Sequence, residues 1–566
     1  MLNTTEDRPI TGDTAPPAVD PARAIALKYA ALPPARRSLL RTKVREQGID
    51  PARLPIVPLA REAAEGADGA DHYPLSAAQA RLWFLWKLDP LNPAYNLARA
   101  VRLTGALDVG ALRAAFAALV ARHGALRARF VEERGVAVQR IAAAVAVVGG
   151  THDSYGWREH TLDDPALQGQ LPELLRRAAR EPFDLAAGPL LRADLVRLAD
   201  DRWTLLISTH HIVSDGWSQA LLVRELVALY RAALDGGDMA GALPPLALHF
   251  GDVSAWQSEW QDVTQADDLA FWLTRLGAVQ PELELPLDRA RTPARSIEGG
   301  RRRVEIAEPL AARLRHLARA QRTTLFTVLL GAWAALLHRY GGQTAIRIGV
   351  PSAGRARRET ESLVGYFVNT LVIEAEVNGA MPFERLLTGL HARVLEAQAH
   401  QDVPFGKVLD ALKIERDLGR SPLFQVMFNL EQGGAPSTLT LPGLVVEPQT
   451  GSTETARFDL VLNVVDEGSA LKLSFNFAAD VFDEATVARI ATQYQAMLVQ
   501  LADDATRRVG ELVLPEAAAA QDAQVYAFDS LADSLVAQAA RSPAAVALRC
   551  ESQSLSYDEL QRWSGA

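Results

Sequence analysis

Residues 209–218, Thr-His-His-Ile-Val-Ser-Asp-Gly-Trp-Ser, lie where a strand-like run gives way to a helical one. Before them stands Trp203-Thr-Leu-Leu-Ile-Ser-Thr209, a β-rich run bounded by charged residues. After them Leu222, Leu226, Leu229 and Ala233 recur at helical spacing, with Asp215 placed as an N-cap and Gly236-Gly237 as a stop. The imidazoles of His210 and His211 therefore fall in a strand-to-helix loop, beside the positive end of a helix dipole. A negative charge developing on a reacting carbonyl would be stabilised there, above all by the unhindered amide of Gly216. Histidine ionises near neutrality, which suits the pair to proton transfer. Asp215 has three possible tasks: orienting an imidazole, capping the helix, or pairing with an arginine elsewhere.

Outward from this loop, helical and strand patterns alternate. Leu112–Arg122 and Leu310–Ala320 have helical spacing, whereas Ala345–Val350, Leu371–Val377, Arg457–Val465 and Leu471–Phe477 are strand-like. The mixture predicts an α/β (α+β) fold. Residues 73–513 are too many for one core, so two lobes are expected, 73–265 and 266–513, with the default ligand site between them. Pro286–Gly300 is loop-like and reads as a crossing between lobes. Residues 1–72 read as a mobile tail and a small helical appendage, begun by the helix-start pair Asp20-Pro21 and interrupted at Pro33-Pro34. Residues 514–566 read as an Ala-rich linker and the first part of a further domain.

Composition removes several function classes. Lys and Arg total 59 against 68 Asp and Glu, a net charge of −9 that has the wrong sign for a general nucleic-acid binder. The single Cys550 excludes an internal disulfide and a thiolate metal cluster. Eleven histidines show no HExxH or His-x-His spacing, so no metal is expected. There is no G-x-S-x-G elbow and no phosphate-binding G-x-x-x-x-G-K-[ST] loop. The first residues lack the basic-then-apolar order of a secretory signal. The longest apolar run, Leu325–Leu337, is too short for a bilayer core of about 30 Å and predicts a buried helix. A cytoplasmic, monomeric chain without a membrane span is the expectation.

A histidine pair alone is an ordinary structural feature; its context raises it above that. Thr209–Ser218 resembles the HHxxxDG signature of condensation domains of nonribosomal peptide synthetases, within the chloramphenicol-acetyltransferase-like superfamily. Epimerization domains and simple acyltransferases share that signature, so the other segments matter. Leu75–Leu85 (LSAAQARLWFL), followed by Pro93-Ala94-Tyr95-Asn96, resembles the opening motif, and Arg122–Phe130 (RHGALRARF) the second. Leu248–Gln257 (LHFGDVSAWQ), Val364–Leu371 (VGYFVNTL), His400–Phe405 (HQDVPF) and Arg416–Leu423 (RDLGRSPL) resemble the fourth to seventh, in the family's order.

The resemblance implies two acetyltransferase-like lobes in a V-shaped pseudo-dimer with a tunnel between them. It implies His211 as the catalytic histidine and His210 as its support. Asp215 is expected to be structural and held by an arginine, with Arg127 the first choice and Arg122 the reserve. Gly216 supports the loop, and Trp217, Ser218, Tyr366 and Asn369 are expected to line the tunnel. No cofactor is expected on this chain, because the substrates ride on the phosphopantetheine of carrier proteins or arrive as a coenzyme A thioester. The implied partners are an acceptor carrier domain, a fatty acyl-CoA or an upstream donor carrier, and a downstream adenylation domain whose start residues 528–566 resemble. The opening motif, with Arg81-Leu82-Trp83-Phe84, is closer to subtypes taking L-configured or fatty-acyl donors. The expected function is therefore a starter (lipoinitiating) domain that N-acylates the first amino acid of a lipopeptide. Alternatives are an elongation domain taking a peptidyl donor in trans, an epimerization domain, or a noncatalytic recruitment domain of the same fold.

Overall fold

The Leu325–Gly341 run becomes a helix whose first turn is closed by the Thr324 hydroxyl accepting from the Thr327 N–H at 3.2 Å. Every residue from Thr327 to Leu337 is buried, which is how a helix apolar on all sides is satisfied. Trp333 meets Phe475 and Tyr494 with ring centroids 6.0 and 5.8 Å apart. Among the described residues no single helix is long and apolar enough to cross a membrane. The structure is a computed structural model; it describes residues 21–33, 36–37, 39–41, 43, 54–59, 70–143, 155–277, 281–292, 296–414, 421–433, 441–449, 455–515, 531–550 and 553–564. The expected tail at 1–19, the connector at 62–69, the spacer after Pro515 and residues 416–420 of the seventh motif lie outside the described residues.

The first half of the chain supplies β1 (Asp71–Pro74), β2 (Asn96–Gly105), β3 (Ala128–Glu133), β4 (Val136–Ile141), β5 (Gly156–Thr161), β6 (Leu191–Ala199) and β7 (Arg202–His210). The second supplies β8 (Gly299–Ile306), β9 (Ala345–Ser352), β10 (Asn369–Glu376), β11 (Val426–Gln432), β12 (Leu444–Pro448), β13 (Leu460–Asp466) and β14 (Leu471–Ala478). They form a three-stranded sheet β1-β4-β3, a five-stranded sheet β12-β2-β7-β6-β5 and a six-stranded sheet β10-β9-β11-β13-β14-β8. β14 buries Leu471, Leu473, Phe475 and Phe477 on one face, the period-two pattern of a strand that packs on one side.

β12 comes from the second half of the chain and joins the sheet of the first. It runs antiparallel to β2 from Leu444↔Gly105 to Pro448↔Val101 and so covers an edge that would otherwise leave backbone groups unpaired. The expected division at 265/266 is therefore not a division by sheet. Gly105 makes the pairing possible: it has φ +130°, and a Cβ there would stand 2.7 Å from the Gly443 carbonyl oxygen.

By contact density the chain forms two compact units, Met1–Val513 and Leu514–Ala566. Within the first, the helix Pro21–Ala30 buries Ala26 and Tyr29 in the same core as Trp256 and Trp260. The Tyr29 hydroxyl donates to Glu259 at 2.8 Å, and its ring lies 4.7 Å from that of Trp260. The Ile56 N–H donates to Glu359 at 2.9 Å. The N-terminal helical segment is thus part of the first unit's core. The second unit contains the helices Leu531–Arg541 and Tyr557–Ser564 and an antiparallel pair, β15 (Val546–Cys550) and β16 (Gln553–Ser556).

Candidate active site

The β2–β7 register places Asn96 opposite His210, so the end of β7 is fixed by the sheet. The Asn96 amide donates to the carbonyls of Ala179 and Glu181 at 2.9 and 3.0 Å. Past His210 a single 3-10 turn, His211–Val213, leads to the helix Gly216–Leu234. Asp215 caps that helix, its Oδ1 accepting from the Ser218 N–H at 2.7 Å. The Gln219 amide holds the loop ends together, donating to Thr209 Oγ1 at 2.8 Å and Ser214 Oγ at 2.9 Å.

The two imidazoles take opposite tautomers. His211 Nδ1 lies 2.8 Å from the Ser214 carbonyl, which can only accept, so Nδ1 carries the proton and Nε2 keeps a lone pair. His210 Nδ1 accepts from the Ile212 N–H at 3.2 Å, so its proton sits on Nε2. Burial, reinforced by the positive charge of Arg457, pushes both rings down to about 3, and the Ser214 bond only partly opposes this at His211. Both are therefore neutral at pH 7. His210 is buried, whereas His211 keeps part of its surface open to solvent.

Around His211 the walls come from several elements. Tyr366 presents its ring edge-on at 4.9 Å between centroids. Tyr95 lies 6.4 Å from the His210 ring, and Phe183 6.1 Å from it. The Arg457 guanidinium sits over Tyr95 at 5.3 Å. Burial raises the Tyr366 phenol, with Arg457 and Arg81 acting in the opposite direction. Gly216 opens the helix in an exposed position with no heavy atom within 4 Å of where a Cβ would stand.

The arginine that holds Asp215 is Arg355, which corrects the expectation of Arg127 or Arg122. Arg355 Nη2 lies 3.4 Å from Asp215 Oδ1 and donates to Ser218 Oγ at 2.9 Å; the side chains of Arg355 and Asp215 are 2% and 0% exposed. Its guanidinium also donates to the carbonyls of Thr360 and Leu363 and stacks 3.9 Å above the Phe367 ring. Arg127 instead closes the end of the helix Val109–Arg122, donating to the carbonyls of Val120, Ala121 and Ala142 at 2.7, 2.5 and 2.9 Å. Arg122 and His123 bind Glu225 of the helix Gly216–Leu234, which follows the histidine loop, at 3.1 and 2.6 Å.

Two residues expected to line a tunnel have their polar groups engaged by the protein itself. Ser218 is fully buried, donating to the Gly365 carbonyl at 2.9 Å and accepting from its N–H at 3.1 Å. Asn369 spends its amide on the carbonyls of Gln401 and Val403 at 2.8 and 2.6 Å and accepts from the Phe405 N–H at 2.9 Å, fixing the 401–405 turn. Trp217 is 47% exposed, with its indole N–H on the Glu361 carbonyl at 2.9 Å.

The other motif segments act as scaffolding. Ser76 and Gln79 form a capping box, and the Gln79 amide reaches the Ile212 carbonyl at 3.2 Å, directly under the histidine loop. Gly365 admits Phe250, whose ring a Cβ would meet at 2.0 Å. Sequence reading missed Arg355, Gln219 and Arg457. Arg457 stood in a run read only as a strand. Among the described residues no group of three His, Cys, Asp or Glu side chains is placed to hold a metal ion.

Comparison with known proteins matches this architecture. The condensation domain family model matches residues 69–523. The chain belongs to the condensation domain family. It is 40% identical over 450 residues to a linear gramicidin synthase of Brevibacillus parabrevis, covering 78% of this chain and 6% of that protein. It is 37% identical over 442 residues to chondramide synthase of Chondromyces crocatus, covering 78% of this chain and 11% of that protein. It spans between 6% and 43% of the length of the curated relatives it matches. Among solved structures, the X-domain from teicoplanin biosynthesis is 27% identical with a TM-score of 0.71, covering 81% of this chain and all of that one. The starter condensation domain of rhizomide synthetase has 22% identity and a TM-score of 0.66 over 78% of this chain and 98% of its own. The fold is the chloramphenicol-acetyltransferase-like one.

Proposed function

We propose that this domain joins a donor acyl thioester to the α-amine of an aminoacyl group carried on phosphopantetheine. The amine nitrogen attacks the thioester carbonyl, the C–N bond forms, the C–S bond breaks, and the nitrogen's proton leaves on the thiol. The observation that carries the reading is His211: a neutral, solvent-reached imidazole whose Nδ1–H is fixed on Ser214, leaving Nε2 as an acceptor. An imidazole near 3 is a poor match for an α-ammonium near 8, a gap of about 7 kcal/mol. That mismatch supports a His211 that orients an amine arriving as the free base over one that takes its proton. Holding two reactants together supplies the larger share, on the order of 7–11 kcal/mol for well-oriented reactions.

For the donor we propose a fatty acyl-CoA, the starter form, acting in the cytoplasm to N-acylate the first residue of a lipopeptide. The opening motif at Arg81–Phe84 is compatible with it, as it is with an L-configured peptidyl donor. Similarity to the linear gramicidin synthase favours a second reading, a peptidyl-carrier donor supplied in trans. Donor and acceptor reach His211 from different sides, and residues 528–566 are the start of an adenylation domain. A mass-spectrometric donor screen against a loaded acceptor carrier tests all of this. Acyl-aminoacyl product from acyl-CoA supports the starter form, and product from peptidyl-carrier alone supports elongation. Racemised acceptor without product would replace condensation by epimerization, and carrier binding without turnover would replace it by recruitment.

A further inference from the structure

Arg457 stands where no local rule requires a cation. It lies three residues before β13, and its guanidinium covers the face of Tyr95 at 5.3 Å. Tyr95 in turn lies 6.4 Å from the His210 ring, which adjoins His211. Its positive charge is felt at His210, His211 and Tyr366 alike, and the Tyr366 ring lies 4.9 Å from that of His211. Among the described residues the other charged and titratable groups that act on Tyr366 are Arg81 from the helix Ala77–Leu88, Tyr95 itself, and Asp215 at the helix cap. Asp215 already has Arg355 as its counter-charge. Of these charges it is Arg457 that acts on His211, and its contribution is positive.

We propose that Arg457 is a positioning residue whose fixed positive charge keeps the acceptor's α-amine in its free-base form at His211. The inference rests on the condensation reading and adds to it the origin of the unprotonated nucleophile. An ammonium brought beside a guanidinium in a medium of low polarity loses its proton more readily than in water, because like charges disfavour the charged form. The ammonium's proton passes to solvent before attack. The amine's lone pair then forms the C–N bond, and the second proton departs with the thiol.

The test is the rate of condensation from about pH 6 to about pH 10 for wild type, Arg457→Met and Arg457→Lys, with a loaded acceptor carrier. In wild type the rate rises with pH along the titration of the bound amine. In Arg457→Met that rise moves up by about one pH unit, so the variant is about tenfold slower at low pH and equal to wild type at high pH. Arg457→Lys keeps the wild-type profile. An aminooxy acceptor, unprotonated throughout, removes the difference between Arg457→Met and wild type. A uniform loss at every pH, or wild-type rates for Arg457→Met, would overturn the proposal while leaving condensation intact. Absence of product from wild type with every donor would instead overturn the condensation reading itself. Circular dichroism and melting of both variants confirm that each is folded.

Discussion

His211 and Asp215 are four residues apart in one loop, yet they sit in opposite environments. His211 is reached by solvent, neutral, and keeps a lone pair on Nε2. Asp215 is sealed, with Oδ1 on the Ser218 N–H and Arg355, and Oδ2 accepting from the Phe367 N–H at 3.0 Å. A short signature thus carries two devices, an available group and the clamp that fixes its place. The clamp ties the loop to residues 355–367, so the geometry at His211 depends on two distant parts of the chain. Substitutions in the two regions should consequently separate activity from stability.

The largest effect is expected at the available group. His211→Ala should lower condensation on the order of 10²-fold, the cost of a misplaced reactant, while leaving the melting temperature at the wild-type value or above it. Above is reasonable, because a partly buried imidazole with a neutralised charge adds little to the fold. Turnover near wild type would remove His211 from the mechanism, and a large drop in melting temperature would erase the contrast with Asp215.

The clamp should behave in the reverse way. Asp215→Ala leaves the Arg355 guanidinium buried without its counter-charge, and Arg355→Ala does the same to the carboxylate. Each should cost about 3–5 kcal/mol in urea unfolding. The double variant should cost much less than the sum of the two, because it leaves no lone charge. Additive losses would mean that the 3.4 Å pair is not the clamp.

How much of this was legible in the sequence follows the distance over which each signal acts. The strand read at 203–209 is β7, Arg202–His210, and the helix read from the N-cap Asp215 to the Gly236-Gly237 stop is Gly216–Leu234. Both depend on neighbours within a few residues, where periodicity and capping chemistry operate. The partner of Asp215 did not follow, because a contact spanning 140 residues leaves no mark on local spacing. Arg127 and Arg122 stood in a recognised motif, whereas Arg355 stood among several arginines in a loop after β9. The crossing of β12 to the first sheet is hidden for the same reason. So is the engagement of Asn369 with the 401–405 turn, since spacing does not say which backbone groups an amide meets.

The histidines themselves offer a finer cut through the comparison. The unfolded chain protonates an ordinary imidazole below about pH 6.5, whereas the folded rings refuse the proton until about pH 3. Between those values the unfolded state binds more protons, so stability is full above about pH 6.5 and falls as pH drops. Each ring contributes roughly 1 kcal/mol per pH unit across that window. Urea midpoints for wild type and His211→Ala at about pH 7 and about pH 5.5 isolate one ring. The variant should lose roughly 1 kcal/mol less on acidification. Equal losses would place the His211 proton in the folded state and reopen its role as a base.

An effect smaller than that of the clamp itself is expected at Ser218, where the clamp meets the segment that carries Tyr366. Its hydroxyl bonds both the N–H and the carbonyl of Gly365 and accepts from Arg355. Ser218→Ala leaves a buried amide without a partner and should cost about 1–3 kcal/mol. Because Gly365 directly precedes Tyr366, whose ring lies 4.9 Å from His211, loosening this contact should also slow condensation by a few-fold without changing its pH profile. A loss of stability with unchanged rate would show that Tyr366 is held by Asp215 and the Phe367 amide alone. A loss of rate with unchanged stability would move Ser218 from the clamp to the substrate face, against its complete burial.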